Sequence, residues 1–102
     1  MLTAFLAKVQ VGILEIEGLM DEEGNYYVAI PQLTDLNLVP PNRSAKQLEA
    51  LTDKAFSSHD IVKLKTPLNS KGVNAIPVKL VEKLLLRLAI KGNKAAIALA
   101  PH

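Results

Sequence analysis

Between Lys8 and Gly18 the chain reads KVQVGILEIEG, an alternation of apolar and polar residues. Val9 and Val11 fall on one face. After Gly12 the pattern resumes with Leu14 and Ile16 inward and Glu15 and Glu17 outward. Period two over this length predicts a half-buried strand, bulged at the glycine. DEEGN, Asp21 to Asn25, is a turn by composition, and YYVAI returns as the second strand of a hairpin. Further along, IVKLK and GVNAI flank TPLNSKG and predict a second hairpin, with Lys63 and Lys65 pointing outward.

The period changes to the helical one in four places. Pro31 suits the first position of a short helix, Pro31 to Asn37, with Leu33 and Leu36 facing in; Pro40 and Pro41 close it. A second helix runs from about Ser44 to Phe56, with Asn42 or Arg43 near its cap. On a helical wheel Leu48, Leu51, Thr52 and Ala55 cluster, flanked by Ala45 and Phe56. Lys46, Gln47, Ala50 and Lys54 occupy the opposite side. A longer helix spans Val78 to Lys91 and stops at Gly92, after which Asn93 can cap a final short helix through Ala100. The fold class expected is α+β: two small antiparallel hairpins with packed helices, in the order ββααββαα.

At 102 residues this is one domain, able to bury about two thirds of its unfolded surface. Only Phe5, Tyr26, Tyr27 and Phe56 are aromatic, so the core must be aliphatic. The absence of cysteine removes disulfides, thiolate metal sites and cysteine nucleophiles, and it suits a reducing cytoplasm. No apolar run approaches the length of a membrane span, and MLTAFLAK lacks the layout of a secretory leader.

Charge is divided along the chain. Met1 to Pro41 carries one base, Lys8, against six acids, a net −5. From Asn42 onward eleven bases face four acids, a net +7. Such asymmetry points to an anionic partner. The candidate reader is the centre of the chain, a helix-turn-helix-like pair in which the second helix begins NRSAKQ. Arginine pairs with guanine or phosphate and asparagine or glutamine with adenine, so Asn42, Arg43, Lys46, Gln47 and Lys54 are candidate DNA contacts. Glu49 and Asp53 on the adjacent stripe oppose that reading, because they would repel phosphates.

Lys79, Lys83, Arg87 and Lys91 recur every four residues along the longest helix. They form a solvated cationic face whose later members suit the negative end of the helix. Leu86 and Ile90 fall outside the main stripe and AAIALA is apolar all round, which together predict a homodimer through the C-terminal helices.

Catalysis finds no foothold. SSHD, Ser57 to Asp60, has triad residue types, but consecutive side chains diverge where a triad must converge. DEEGN lacks the frame and closing glutamate of a calcium loop. Neither a paired-histidine metal site nor a glycine-rich phosphate loop is present, so no metal or cofactor is expected.

From YYVAIPQLTDLNL through NRSAKQLEAL to GVNAIPVKLVEKLLLRLAIKGNKAA, the succession of elements resembles the N-terminal DNA-binding module of phage antirepressor and BRO-type proteins. The resemblance covers about Gly18 to Ala98. It implies a bacterial or phage-derived transcriptional regulator whose contacts are Asn42, Arg43, Lys46 and Gln47, with Lys63 and Lys65 on the second hairpin. The competing expectation is a non-catalytic interaction or homo-oligomerisation adaptor with no nucleic-acid role.

Overall fold

The computed structural model describes residues 2–52, 54–67 and 69–99. Its elements are β1 (Leu2–Val11), β2 (Leu14–Asp21), β3 (Tyr26–Ala29), α1 (Ile30–Asp35), α2 (Ala45–Leu51), a 3₁₀ turn (Ser58–Asp60), β4 (Val62–Thr66), β5 (Asn69–Pro77), α3 (Val78–Ile90) and α4 (Lys94–Leu99). The class is α+β. The strands close into one barrel in the order β1-β2-β3-β5-β4, with every pair antiparallel except β1 with β4.

The N-terminal segment contains one strand more than its alternation suggests. Gly12 and Ile13 form a two-residue turn, so Val11 pairs with Leu14 and Val9 with Ile16. A bulge and a two-residue turn shift the in-out parity identically, which is why the pattern alone reads as one strand. The extra strand lets the two expected hairpins merge into a closed sheet, which has no free edge to protect.

The glycine is compelled by packing as well as by its positive φ. A Cβ at Gly12 would occupy the position of the Leu99 backbone carbonyl. That carbonyl accepts a 2.8 Å hydrogen bond from the Ile13 N–H, so the end of α4 is tied to the β1–β2 turn.

Two cores follow from the sheet's two faces. Ala4, Leu19, Tyr27, Leu64 and Ala75 fill the small barrel interior. Val9, Val11, Val28 and Ile76 lie on the outer face and are buried with Val81, Leu84, Leu85 and Leu88 of α3 and Ala96 of α4. At the open end of the barrel Asp21 is buried. Its carboxylate accepts from the Glu23 and Asn25 N–H groups, each at 2.9 Å, and from the Tyr27 hydroxyl, also at 2.9 Å. The DEEGN segment is therefore a tight turn organised by one carboxylate.

Helix ends follow their local chemistry. α1 closes with Asn37 in the left-handed region and the Leu38 N–H on the Leu33 carbonyl, both leucines being buried. α3 stops in the same way at Gly92. Asn93 then caps α4 by accepting from the Ala96 N–H at 3.0 Å. Among the described residues no helix is long and apolar enough to cross a membrane.

Candidate nucleic-acid interface

The centre of the chain is built on a short helix. Ser44 is the N-cap of α2 and, with Gln47, makes a capping box. The Gln47 N–H donates to Ser44 Oγ at 3.2 Å, and the Ser44 N–H donates to Gln47 Oε1 at 2.9 Å. The cap thus falls one or two residues after the expected Asn42 or Arg43, because serine can accept from the third helical N–H. Gln47 spends its carbonyl oxygen on that box. Asn42 takes a left-handed backbone (φ 57°), and Arg43 turns back to donate from Nη1 to the Pro41 carbonyl at 3.1 Å.

α2 ends at Leu51 rather than continuing to Phe56. The Thr52 hydroxyl donates to the Leu48 carbonyl at 2.7 Å, and Lys54 lies beyond the helix with φ 58°. Two consequences correct the wheel. Lys54 does not share a helical face with Lys46 and Gln47, and Leu51, expected inward, is 49% exposed. Ala55 and Phe56 still reach the core, from irregular chain instead of helix. Asp53 lies outside the described residues.

Behind the exposed side of α2, Leu48 is buried in the main core, while Asn42, Arg43, Lys46 and Gln47 are all exposed. Residues 36–44 link α1 to α2, a longer connection than the three or four residues of a tight helix-turn-helix. The two helices flank a groove of about 280 Å³, lined by Pro31, Thr34 and Asp35 on one side and Asn42, Arg43 and Leu48 on the other.

Two acids of this region are held by backbone donors. Glu49 Oε1 accepts from the Ser58 N–H at 3.0 Å, and Asp60 Oδ2 accepts from the Ser57 N–H at 2.8 Å. Ser57 Oγ in turn accepts from the His59 N–H at 2.9 Å. Two of the SSHD side chains, Ser57 and Asp60, thereby serve the backbone of the 3₁₀ turn. The repulsion expected from Glu49 is blunted, because its carboxylate is aimed at a backbone donor on the neighbouring turn. That partnership joins residues nine apart and has no periodic signal in sequence.

Lys63 and Lys65 stand on β4 and are exposed on the outer face of the sheet, where Lys63 opposes Asn74 and Lys65 pairs in parallel with Thr3. The seven expected contacts therefore divide into a group of four at the start of α2, Lys54 past its end, and a pair on the sheet. On α3, Lys79 and Lys83 are exposed beside Leu86 and Ile90, which are 58% and 84% exposed. Near the α4–turn junction, Ile13 and Ile97 are exposed as well. Among the described residues no cluster of three histidine, aspartate or glutamate side chains could hold a metal ion.

Comparison with protein-family models, with characterised proteins and with solved structures returns no match.

Proposed function

We propose that this protein is a small, non-catalytic DNA-binding regulatory module of the cytoplasm, antirepressor-like in layout, that acts as a homodimer. The observation that carries the reading is the sorting of charge between Asn42 and Thr66. Every described acid there, Glu49 and Asp60, bonds to a backbone N–H, while Arg43, Lys46, Lys54, Lys63 and Lys65 are exposed. A surface sorted in this way offers cations to a polyanion, with Asp35 across the groove as the exposed acid that opposes it. Phosphate contacts then supply most of the affinity and make it salt-dependent. Asn42 and the amide nitrogen of Gln47 supply base-edge hydrogen bonding in the major groove. Leu86 and Ile90, displayed on the outward side of α3, support pairing of two copies through the C-terminal helices.

The test is a titration of duplex DNA at low and moderate salt with the native chain and with Arg43→Ala/Lys46→Ala. Binding by the double variant should weaken, and its salt slope should fall by about two. Unchanged affinity and slope would remove α2 from the interface. The exposed apolar side chains also favour a second reading, an adaptor that assembles through α3 and α4 and never meets DNA. Light scattering that finds a stable oligomer, together with no salt-sensitive DNA affinity, would select the adaptor.

A further inference from the structure

The helices cover only part of the sheet's outer face. Over the far half of the β1–β2 hairpin Val9 and Val11 on that face are buried against α3 and α4; over its base Phe5 is exposed. There the strand registers set three residues in one row, Phe5 on β1 opposite Met20 on β2, and Met20 opposite Tyr26 on β3. Phe5 and Tyr26 are 45% and 46% exposed, with Met20 half-buried between them. The other two aromatic residues, Tyr27 and Phe56, are buried, so both exposed aromatic side chains of the chain lie on this one row.

Cations bracket the row. Lys65 pairs with Thr3, the residue two before Phe5 on the same face, and Lys63 precedes Lys65 on that face of β4. At the other end Lys79 and Asn25 line, with Tyr26, a cleft of about 480 Å³. Phe5 and Tyr26 sit on alternate strands, roughly 10 Å apart by strand spacing. That separation leaves both rings open to bases of one extended strand.

We propose that this strip binds single-stranded nucleic acid, with bases stacking on Phe5 and Tyr26 and phosphates meeting Lys63, Lys65 and Lys79. The inference rests on the nucleic-acid reading above and extends it to a second face and a different form of ligand. A duplex keeps its base faces stacked on one another and cannot offer them to a side chain, whereas an open strand can. Acids limit the strip. Glu22 and Glu23 are exposed on the β2–β3 turn, and Glu82 shares a neighbouring cleft with Tyr26 and Lys8.

The experiment is fluorescence anisotropy with labelled oligo-dT, oligo-U and a DNA duplex of matched length, at low and moderate salt. The native chain, Phe5→Leu/Tyr26→Leu and Phe5→Tyr/Tyr26→Phe are compared, with thermal melting of each. Leucine keeps apolar bulk and removes the ring. The leucine pair should lose about tenfold or more on single strands and nothing on duplex. The ring-keeping pair should bind as the native chain does. A preference between oligo-dT and oligo-U names the strand that the site is built for. Single-strand affinity that survives the leucine pair overturns the strip, even with duplex binding through α2 intact. A loss in the ring-keeping pair at unchanged melting temperature, or an oligomer that dissolves in the leucine pair, overturns it equally. Failure of every oligonucleotide to bind removes both proposals together.

Discussion

The two halves of the β1–β2 hairpin share strands, alternation and register, yet they meet opposite surroundings. Toward the turn, Val9 and Val11 on the outer face are buried against α3 and α4, and the other face carries Lys8, Gln10, Glu15 and Glu17 in solvent. Toward the base, the inner face holds Ala4 and Leu19 inside the barrel, while the outer face presents Phe5. The hairpin therefore buries one face at one end and the opposite face at the other. Alternation sets which residues share a face. Which face is covered depends on what lies over it, and α3 and α4 lie over one half only.

The tie between the turn and α4 is the sharpest way to break this contrast. Gly12→Ala forces a side chain onto the Leu99 carbonyl and a left-handed backbone onto alanine, so it should cost more than about 2 kcal/mol. In a domain of this size that is a fall of roughly 10 °C in melting temperature, readable by circular dichroism. A fall of only a degree or two would mean that the α4 end is not held where the Ile13–Leu99 hydrogen bond places it.

The outer-face pair Val9 and Phe5 compares the two halves directly. Val9→Ala leaves a void in the main core and should cost about 1–2 kcal/mol. Phe5→Ala, although it deletes a larger side chain, should cost less than about 1 kcal/mol, because nearly half of that side chain already faces water. Denaturant midpoints order the two variants, and the reverse order would place a covering element over Phe5.

The smallest effect is expected at Asp21, on the base half. Hydrogen bonds hold its carboxyl below its ordinary value of 3.8, chiefly the one from the Asn25 backbone, with burial opposing them. A lowered folded-state value makes its contribution complete above about pH 4 and progressively lost as the pH falls through that lowered value. Tyr27, which donates to Asp21, is pushed up by burial first and by the carboxylate second, so its contribution fades only as strongly alkaline pH is approached. Melting curves from pH 7 down to about pH 2 should show Asp21→Asn losing part of the acid-side slope of the native chain. An identical slope in the two proteins would remove Asp21 from the acid response.

Much of the helical architecture was legible locally. Pro31, Gly92 and Asn93 announce helix ends through restricted φ, a left-handed stop and a side-chain cap, each a property of one or two residues. The Asp21–Asn25 turn was legible for the same reason. The cap of α2 falls one or two residues later than the expected Asn42 or Arg43 because asparagine, arginine and serine compete for it, and only the Ser44–Gln47 exchange resolves it. The helix end was placed five residues late, because Ala55 and Phe56 reach the core from either a helix or a loop, and a wheel scores both alike. Of the candidate contacts, Arg43 and Lys46 stand exposed on the expected face of α2. Lys54 leaves that face with the shortened helix, and Gln47 is partly spent on the cap. The aromatic row has no signal in the alternation, because Phe5 precedes it and a bulge at Gly12 gives no reason to extend a strand back to Leu2.

Sequence alone determined the α+β class, the alternating faces, the helix ends marked by Pro31, Gly92 and Asn93, and the concentration of cations after Asn42, since each follows from residues within a turn or two of one another. Tertiary structure decided that the strands close into one barrel, that Leu99 holds the β1–β2 turn, that Glu49 is drawn onto Ser58, and that Phe5 and Tyr26 share an open row. Those outcomes depend on cross-strand register and on where a helix comes to rest. Both join residues far apart in the chain, where local propensity exerts no force.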